Sequence, residues 1–371
     1  MIGFTGALKR CVSPLLSFVI ASLLASALQI FFFSPISDPQ PLTLPLPSPA
    51  SSFLPSNTDL QRVNRVAEGF LKNPEDVCVD KKGTLYTATR DGWIKRLHRG
   101  DGSWENWTMI NSQTMLGITA AEDGGIIVCD TEEGLLKVDE DGVTTVLLSY
   151  VNGSKLSFAD DVIEAGDGSL YFSVASTKFG LHNWYMDVLE AKPHGQLLRL
   201  DPYRNQTSLV LDNLGFANGV ALSKDQDFLI VCETWKFRCL RHWLKGESQG
   251  KTETFTENLP GGPDNINLAP DGTFWIALIQ PVREGWGFVH TSKAAKHLVA
   301  TFPQTINVVS ALRRKAVVVN VGADGKIIRK LEDPSGKVLS FVTTALEFGG
   351  HLYLGSLNSD YVAKLPLTDV A

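Results

Sequence analysis

Cysteine is scarce: five in 371 residues, at Cys11, Cys78, Cys129, Cys232 and Cys239. That is too few for a disulfide-built scaffold. A dominant charge is missing too. Thirty-four Lys and Arg against 40 Asp and Glu leave a formal net charge of −6, with no basic run. Nucleic acid is therefore not expected as a partner. Strong amphipathic helical periodicity is almost absent from about residue 62 to 367, which excludes a helical bundle. What remains is a chain with 44% apolar and 20% charged residues, a globular composition long enough for one large domain or two average ones.

The long apolar run stands at the N-terminus. Lys9 and Arg10 are the only charges before Asp38, and Ser13 to Phe33 is almost wholly apolar. A basic flank followed by such a run reads as a secretory signal or a signal anchor over residues 1–33. Ala25-Ser26-Ala27 suits a cleavage site. The run also continues to Phe33, about the length that spans a bilayer. Both readings stay open, and both direct the rest of the chain to the lumen of the secretory pathway, in endoplasmic reticulum or vacuole. Membrane contact is expected only through this segment, if it is uncleaved. Residues 34–60 are rich in Pro and Ser (Pro35, Pro39, Pro41, Pro45, Pro47, Pro49 and Pro55) and read as an extended linker. Three sequons, at Asn106, Asn152 and Asn205, are expected in loops and glycosylated.

Residues 61–371 read as a repeat. Short apolar-alternating runs are punctuated by Asp-Gly-type turns, an all-β signature. Counting back eight residues from each turn residue gives one recurring position. Gly83 leads to Glu75, Gly125 to Gly117, Gly168 to Asp160, Gln226 to Asn218, and Gly272 to Asp264. Gly350 leads to Val342, beside Thr343. Six units at this spacing predict a six-bladed β-propeller. The strand near residues 62–69 would complete the last blade. Thr177 to His194 interrupts the third unit, and Trp184-Tyr185-Met186-Asp187-Val188-Leu189-Glu190 is spaced for a short helix. Such an insertion suits a lid.

In a propeller the innermost strands surround one axis, so the recurring positions converge. Glu75, Asp160, Asn218 and Asp264, with Asn265 beside the last, would then share one channel mouth. Oxygen-only donors of this kind suit a hard cation, Ca²⁺ before Mg²⁺. The absence of His and Cys at these positions argues against zinc.

The motifs Pro74-Glu75-Asp76, Phe158-Ala159-Asp160-Asp161-Val162, Gly215-Phe216-Ala217-Asn218-Gly219-Val220 and Pro263-Asp264-Asn265-Ile266 resemble those of the strictosidine synthase-like family. That family takes in the adipocyte plasma membrane-associated proteins and is related to paraoxonases and gluconolactonases. The resemblance covers roughly residues 60–367. It implies a six-bladed propeller with its site at the channel mouth and, by likeness to the calcium-dependent relatives, metal ligands at Glu75, Asn218, Asp264 and Asn265. Asp160 stands where those relatives carry Asn. The acid that catalyses amine–aldehyde condensation in true strictosidine synthases aligns with Thr343 and its neighbouring His with Phe341, and neither can act as an acid or base near neutral pH. Cys129-Asp130 stands where paraoxonases carry a His.

The expected activity is therefore metal-assisted hydrolysis of a small ester or lactone. Asp264 would be nucleophile or general base, with Phe179, Trp184 and Tyr185 lining an apolar entrance. Condensation chemistry and a non-catalytic binding propeller are the alternatives. His182 and His194, in the insertion, could approach the channel. Cys232 and Cys239 either face each other across a turn at Trp235-Lys236 as a disulfide or stay unpaired, with unpaired slightly preferred.

Overall fold

The computed structural model describes residues 4–43, 54–98, 102–279, 287–302 and 315–369. Six four-stranded antiparallel sheets are arranged in chain order as the blades of a propeller. Blade 1 starts at Val77–Val79, blade 2 at Met115–Ala120, blade 3 at Ala159–Glu164, blade 4 at Ala217–Leu222, blade 5 at Gly262–Leu268 and blade 6 at Val342–Phe348. The outer strand of blade 6 comes from the other end of the domain. Asn64–Val66 pairs with Val362–Pro366, Asn64 opposite Lys364, and so closes the ring by joining the two ends of the domain in one blade.

The strand pattern follows from burial. Inner and second strands are largely covered on both faces, and the second strands Ile126–Asp130, Phe228–Glu233 and Phe274–Ile279 are buried at every position. They read as continuous apolar runs for that reason. Outer strands such as Thr144–Leu148 are largely exposed. No single core exists among the described residues. Six apolar seams form instead, each between neighbouring blades. One joins Trp275 and Val318 of blade 5 to Leu352 and Leu354 of blade 6. Another joins Ile118 and Val128 of blade 2 to Tyr86 and Ile94 of blade 1. The twist of each sheet lets its face lie against the next.

The expected turn residues take the left-handed backbone that such hairpins need. Gly83, Gly168 and Gly272 have φ of 72°, 80° and 88°, and Gln226 adopts 55° in the same place. Gln226 is held there by Gly166 N–H, which donates to its Oε1 at 2.9 Å. In blade 2 the turn glycine is Gly124 (φ 95°), whose N–H donates to Ala121 O, so the count from Gly125 was one residue late.

A cap covers one end of the ring. It contains the insertion helix Trp184–Glu190, as the spacing predicts, and two helices the sequence reading missed, Gly287–Thr291 and Lys293–Thr301. The N-terminal helix runs from Phe4 to Phe32, and its Pro14–Phe32 stretch is apolar enough to cross a membrane and unburied. Of the Pro/Ser-rich segment, residues 34–43 lie on the cap and 54–60 lie on blades 5 and 6. Leu60 is fully buried in the seam between them, and Asn57 Nδ2 donates to Lys330 O. Residues 44–53 of that segment lie outside the described residues.

Cys232 and Cys239 form a disulfide, which corrects the preference for unpaired thiols. They are direct partners across the second and third strands of blade 4, with a 3₁₀ turn at Thr234–Lys236 rather than a two-residue loop. Cys78 and Cys129 are free and buried. Of the sequon asparagines, Asn152 and Asn205 sit in turns with φ of 50°. Asn106 does not: it is exposed on the outer strand Trp104–Met109.

Candidate functional site

The chain enters five of the six inner strands through an irregularity. Pairing to the second strand skips between Met115 and Ile118, Ala159 and Val162, Ala217 and Val220, Pro263 and Ile266, and Val342 and Thr344. Such bulges re-aim side chains. Here each places consecutive residues at the axis, giving two tiers. The first holds Glu75, Leu116, Asp160, Asn218, Asp264 and Thr343. The second holds Asp76, Gly117, Asp161, Gly219, Asn265 and Thr344. Leu116 rather than Gly117 therefore occupies the first-tier position of blade 2. Thr343, rather than Val342, occupies that of blade 6, and Val342 packs into the seam.

The glycines are explained by close approach. A Cβ on Gly117 would lie 2.6 Å from Asp160 O and 2.7 Å from Asp161 Cα. One on Gly219 would lie 2.5 Å from Asp264 O.

The second-tier acids are clamps between blades. Asp76 accepts from Val77 N–H at 2.8 Å in its own blade and from Ile118 N–H at 3.0 Å in the next. Asp161 accepts from Val162 N–H and Val220 N–H in the same way, both at 2.7 Å. The sequence reading named neither residue as part of the site.

The first tier, together with Asn265 beside it, is wired differently. Asn218 Nδ2 donates to Asp264 Oδ1, and Asn265 Nδ2 donates to Glu75 Oε1 at 2.9 Å, reaching past blade 6. These bonds use the amide donors and turn the amide oxygens away. Glu75 Oε2, Asn218 Oδ1 and Asn265 Oδ1 are buried and have no hydrogen-bond partner among the described residues. Buried acceptors are normally paired. Three unpaired oxygens in one ring, with no donor aimed at them, fit a hard cation. Among the described residues no three His, Cys, Asp or Glu side chains form a ready metal cluster, so an ion here would depend on the amides.

Electrostatics agree. Burial pushes the Glu75 and Asp160 carboxyls well above the usual range, with the Asp264 charge next in each case. Burial raises Asp264 to about 8 although Asn218 donates to it, and raises Asp76 to about 6 despite its backbone donors. Arg90, half-buried in the loop after the second strand of blade 1, faces Glu75, Asp130 and Asp160. The sequence reading missed it; the Thr89-Arg90-Asp91-Gly92 turn, opening towards the axis, was the available signal. Beyond the second tier a cavity of about 300 Å³ follows the axis past Asp161 and Asn265 towards Glu164 and Lys224.

Above the ring lies an aromatic collar. Phe158 and Phe216 each stand two residues before a first-tier position, with φ of 57° and 64°. Left-handed backbone is strained for Phe. The pair meets edge to face at 5.3 Å. With Leu116 and Trp235 they form one apolar cluster, on which Trp184, Leu181 and Val188 of the cap rest. Trp184 stacks on Trp235 at 5.8 Å. Phe179 and Tyr185 lie instead in the cap's own core, with Ile36, Leu189 and Val299. His182 is exposed. His194 turns to Glu190 and to the Phe179 ring. Thr343 is fully buried and donates to Glu75 O. Asp130 accepts through Oδ1 from Thr114 Oγ1 and the Glu132 and Glu133 N–H groups, the pattern of a turn-forming Asp.

Comparison with known proteins agrees with this architecture. The strictosidine synthase family profile matches residues 159–247, and the strictosidine synthase-like N-terminal profile matches residues 54–97. Protein strictosidine synthase-like 4 of Arabidopsis thaliana is 33% identical over 91% of each chain. The mouse adipocyte plasma membrane-associated protein is 32% identical over 99% of this chain and 92% of its own. Among solved structures, a gluconolactonase from Xanthomonas campestris superposes with a TM-score of 0.59 at 16% identity, over 90% of this chain and 98% of that one. A calcium-binding regucalcin from Agrobacterium tumefaciens gives 0.56 at 16% identity, over 81% and 92%. At such identities these two likenesses concern the fold.

Proposed function

The chain belongs to the strictosidine synthase-like family, and on that premise we propose that it is a hydrolase of small esters or lactones. It works at the channel mouth with Ca²⁺ held by Glu75, Asn218, Asp264 and Asn265, with Asp160 adding charge. The observation that carries this reading is the set of three buried oxygens left without donors among the described residues, two in the first tier (Glu75 and Asn218) and one on Asn265 beside it. The gluconolactonase and the calcium-binding regucalcin that share the fold support it. A bound cation would polarise the substrate oxygen and lower the pKa of a water.

The chain's own residues supply the rest. Asp264, oriented by the Asn218 amide, serves as nucleophile or general base. Arg90 steers an acidic leaving group. Leu116, Phe158 and Phe216 keep bulk water from the reacting bond. Condensation chemistry is disfavoured because Thr343 spends its hydroxyl on Glu75 O, so no acid stands there. The apolar N-terminal helix suits a secretory route, and we place the propeller on the lumenal side.

The test is a panel of aryl esters and lactones, with calorimetric Ca²⁺ titration beside it. Turnover should need Ca²⁺ and fall at least about a hundredfold in Asp264→Asn. Chelation that alters neither melting temperature nor turnover would remove the metal from the reading. Ca²⁺ binding without turnover of any member would leave a binding propeller.

A further inference from the structure

The end of the ring that carries the aromatic collar is also where the apolar N-terminal helix stops. The Phe31 ring lies 5.1 Å from His297 on the cap helix Lys293–Thr301. Four residues after the helix ends, Ile36 is buried in the cap core with Phe179, Leu189 and Val299. The strand of chain that follows is fastened to the cap. Ser37 Oγ donates to Glu190 at 3.1 Å, Gln40 N–H donates to Glu190 O at 2.8 Å, and Leu42 N–H donates to His290 O at 2.9 Å. Lys192 Nζ donates to Ser37 O, Lys296 Nζ donates to Gln40 O, and Lys293 pairs with Asp38. The cap in turn rests on the collar through Trp184 and Val188.

This strap has little slack. From Phe32 to Ile36 the chain can span at most about 14 Å. The hydrocarbon that receives the helix must then lie close to the cap. The outward side of the cap is apolar where it meets that boundary. Phe288 is 72% exposed and Leu298 46%, and Phe32 and Phe33 at the helix end are 77% and 80% exposed. Ala294 and Leu298 share one face of their helix, four residues apart.

We propose that this cap face docks on the bilayer the N-terminal helix enters, through Phe288, Ala294, Leu298 and the Phe32-Phe33 end, so that the channel mouth opens against lipid. The docking is apolar. Lys178 and Lys192 are engaged by Glu190, Lys293 by Asp38 and Lys296 by Gln40 O, which leaves these cations committed within the cap. Apolar contact therefore carries the attachment, and it persists in neutral lipid and at high salt. A consequence rests on the hydrolase reading: the preferred esters or lactones carry an apolar chain that partitions into membrane.

The test uses the full chain in phosphatidylcholine vesicles. Fluorophores are attached to Phe288→Cys and Leu298→Cys, with Asp271→Cys as control on a turn roughly 20 Å away at the other end of an inner strand. Nitroxide lipids then report contact. The cap labels should be quenched several-fold more than the control, and the difference should persist at high salt. In the Phe288→Ser/Leu298→Ser double variant, a label at Ala294→Cys should lose at least half of its quenching while the melting temperature holds. Equal quenching at all sites overturns the proposal. So does a cap label that is shielded from water yet unquenched, in a chain that crosslinks as a dimer.

The depth measurement needs no catalysis. Quenching without turnover of any ester would sink the hydrolase reading alone. Turnover without quenching would sink the docking proposal alone.

Discussion

Asp187→Asn probes what holds the cap to the ring. Asp187 lies in the insertion helix and is fully buried. Its Oδ1 accepts from Trp235 Nε1 at 3.1 Å, the one polar tie from this helix to the collar among the described residues. Burial pushes its pKa up to about 7 and the Glu190 charge adds to that, although Trp235, Ser176 and Lys178 pull the other way. Unfolded, the group ionises near its ordinary value of 3.8. The folded chain therefore keeps a proton that the unfolded chain releases between pH about 4 and 7. Stability fully present below the lower value is lost as pH rises through the upper one. The complete loss corresponds to about 4 kcal/mol as a ceiling, and relaxation around the carboxylate brings the expectation to about 2 kcal/mol.

The amide keeps an acceptor for Trp235 and has no charge to bury. Asp187→Asn should match the parent near pH 4 and melt roughly 4 °C or more above it near pH 8. The assay is calorimetry of the full chain in detergent across that range. A difference that does not change with pH, or a variant less stable near pH 8, would refute the reasoning.

Three further outcomes are expected. Gly117→Ala brings a methyl within 2.7 Å of blade 3 backbone, which cannot swing aside, so denaturant midpoints should fall by an amount equal to about 2–3 kcal/mol. Cys232→Ser with Cys239→Ser releases a short loop and should cost about 2 kcal/mol, while alkylation of the unreduced parent leaves both cysteines unlabelled. Asn106→Gln, Asn152→Gln and Asn205→Gln, made singly in a secreting host, should each remove one endoglycosidase-sensitive mass step. A sequon whose replacement leaves the mass unchanged carries no glycan.

The propeller was legible because one offset, from turn residue to axis, repeats down the chain. The offset survives even where Gln226 replaces the turn glycine, since the Gly166 N–H bond stabilises its left-handed backbone. It slipped in blade 2, where Gly124 and Gly125 are adjacent and only φ distinguishes them. The helix Trp184–Glu190 was legible from apolar spacing. The helix Lys293–Thr301 was not, because Lys296 and His297 lie on its buried side and blur the pattern. Residues 34–43 look like a loose Pro-rich tether in sequence. Their docking runs largely through backbone groups of Ser37, Gln40 and Leu42, which any sequence carries. The disulfide depended on strand register, which fixes Cys232 opposite Cys239 and which composition does not reveal.

Not every acid at the axis has the same reason to be there. Asp76 and Asp161 each satisfy both oxygens with backbone N–H groups from two blades, and that bonding accounts for them as part of the scaffold. The tier above them is not accounted for in that way. Glu75 leaves one oxygen unmatched, the amides of Asn218 and of the adjoining Asn265 face theirs into the same space, and burial with the Asp264 charge pushes the Asp160 carboxyl well above the usual range. Burial and mutual repulsion push these carboxyls towards protonation, which is a cost to the fold. Apolar residues of similar size would remove that cost, as Leu116 shows at the equivalent position of blade 2. A ring used only to close the axis would lose nothing by five more such positions. Retaining acids and amides at four of them makes sense where their oxygens meet a partner of opposite charge, and it is this asymmetry between tiers that favours a working site over an inert hub.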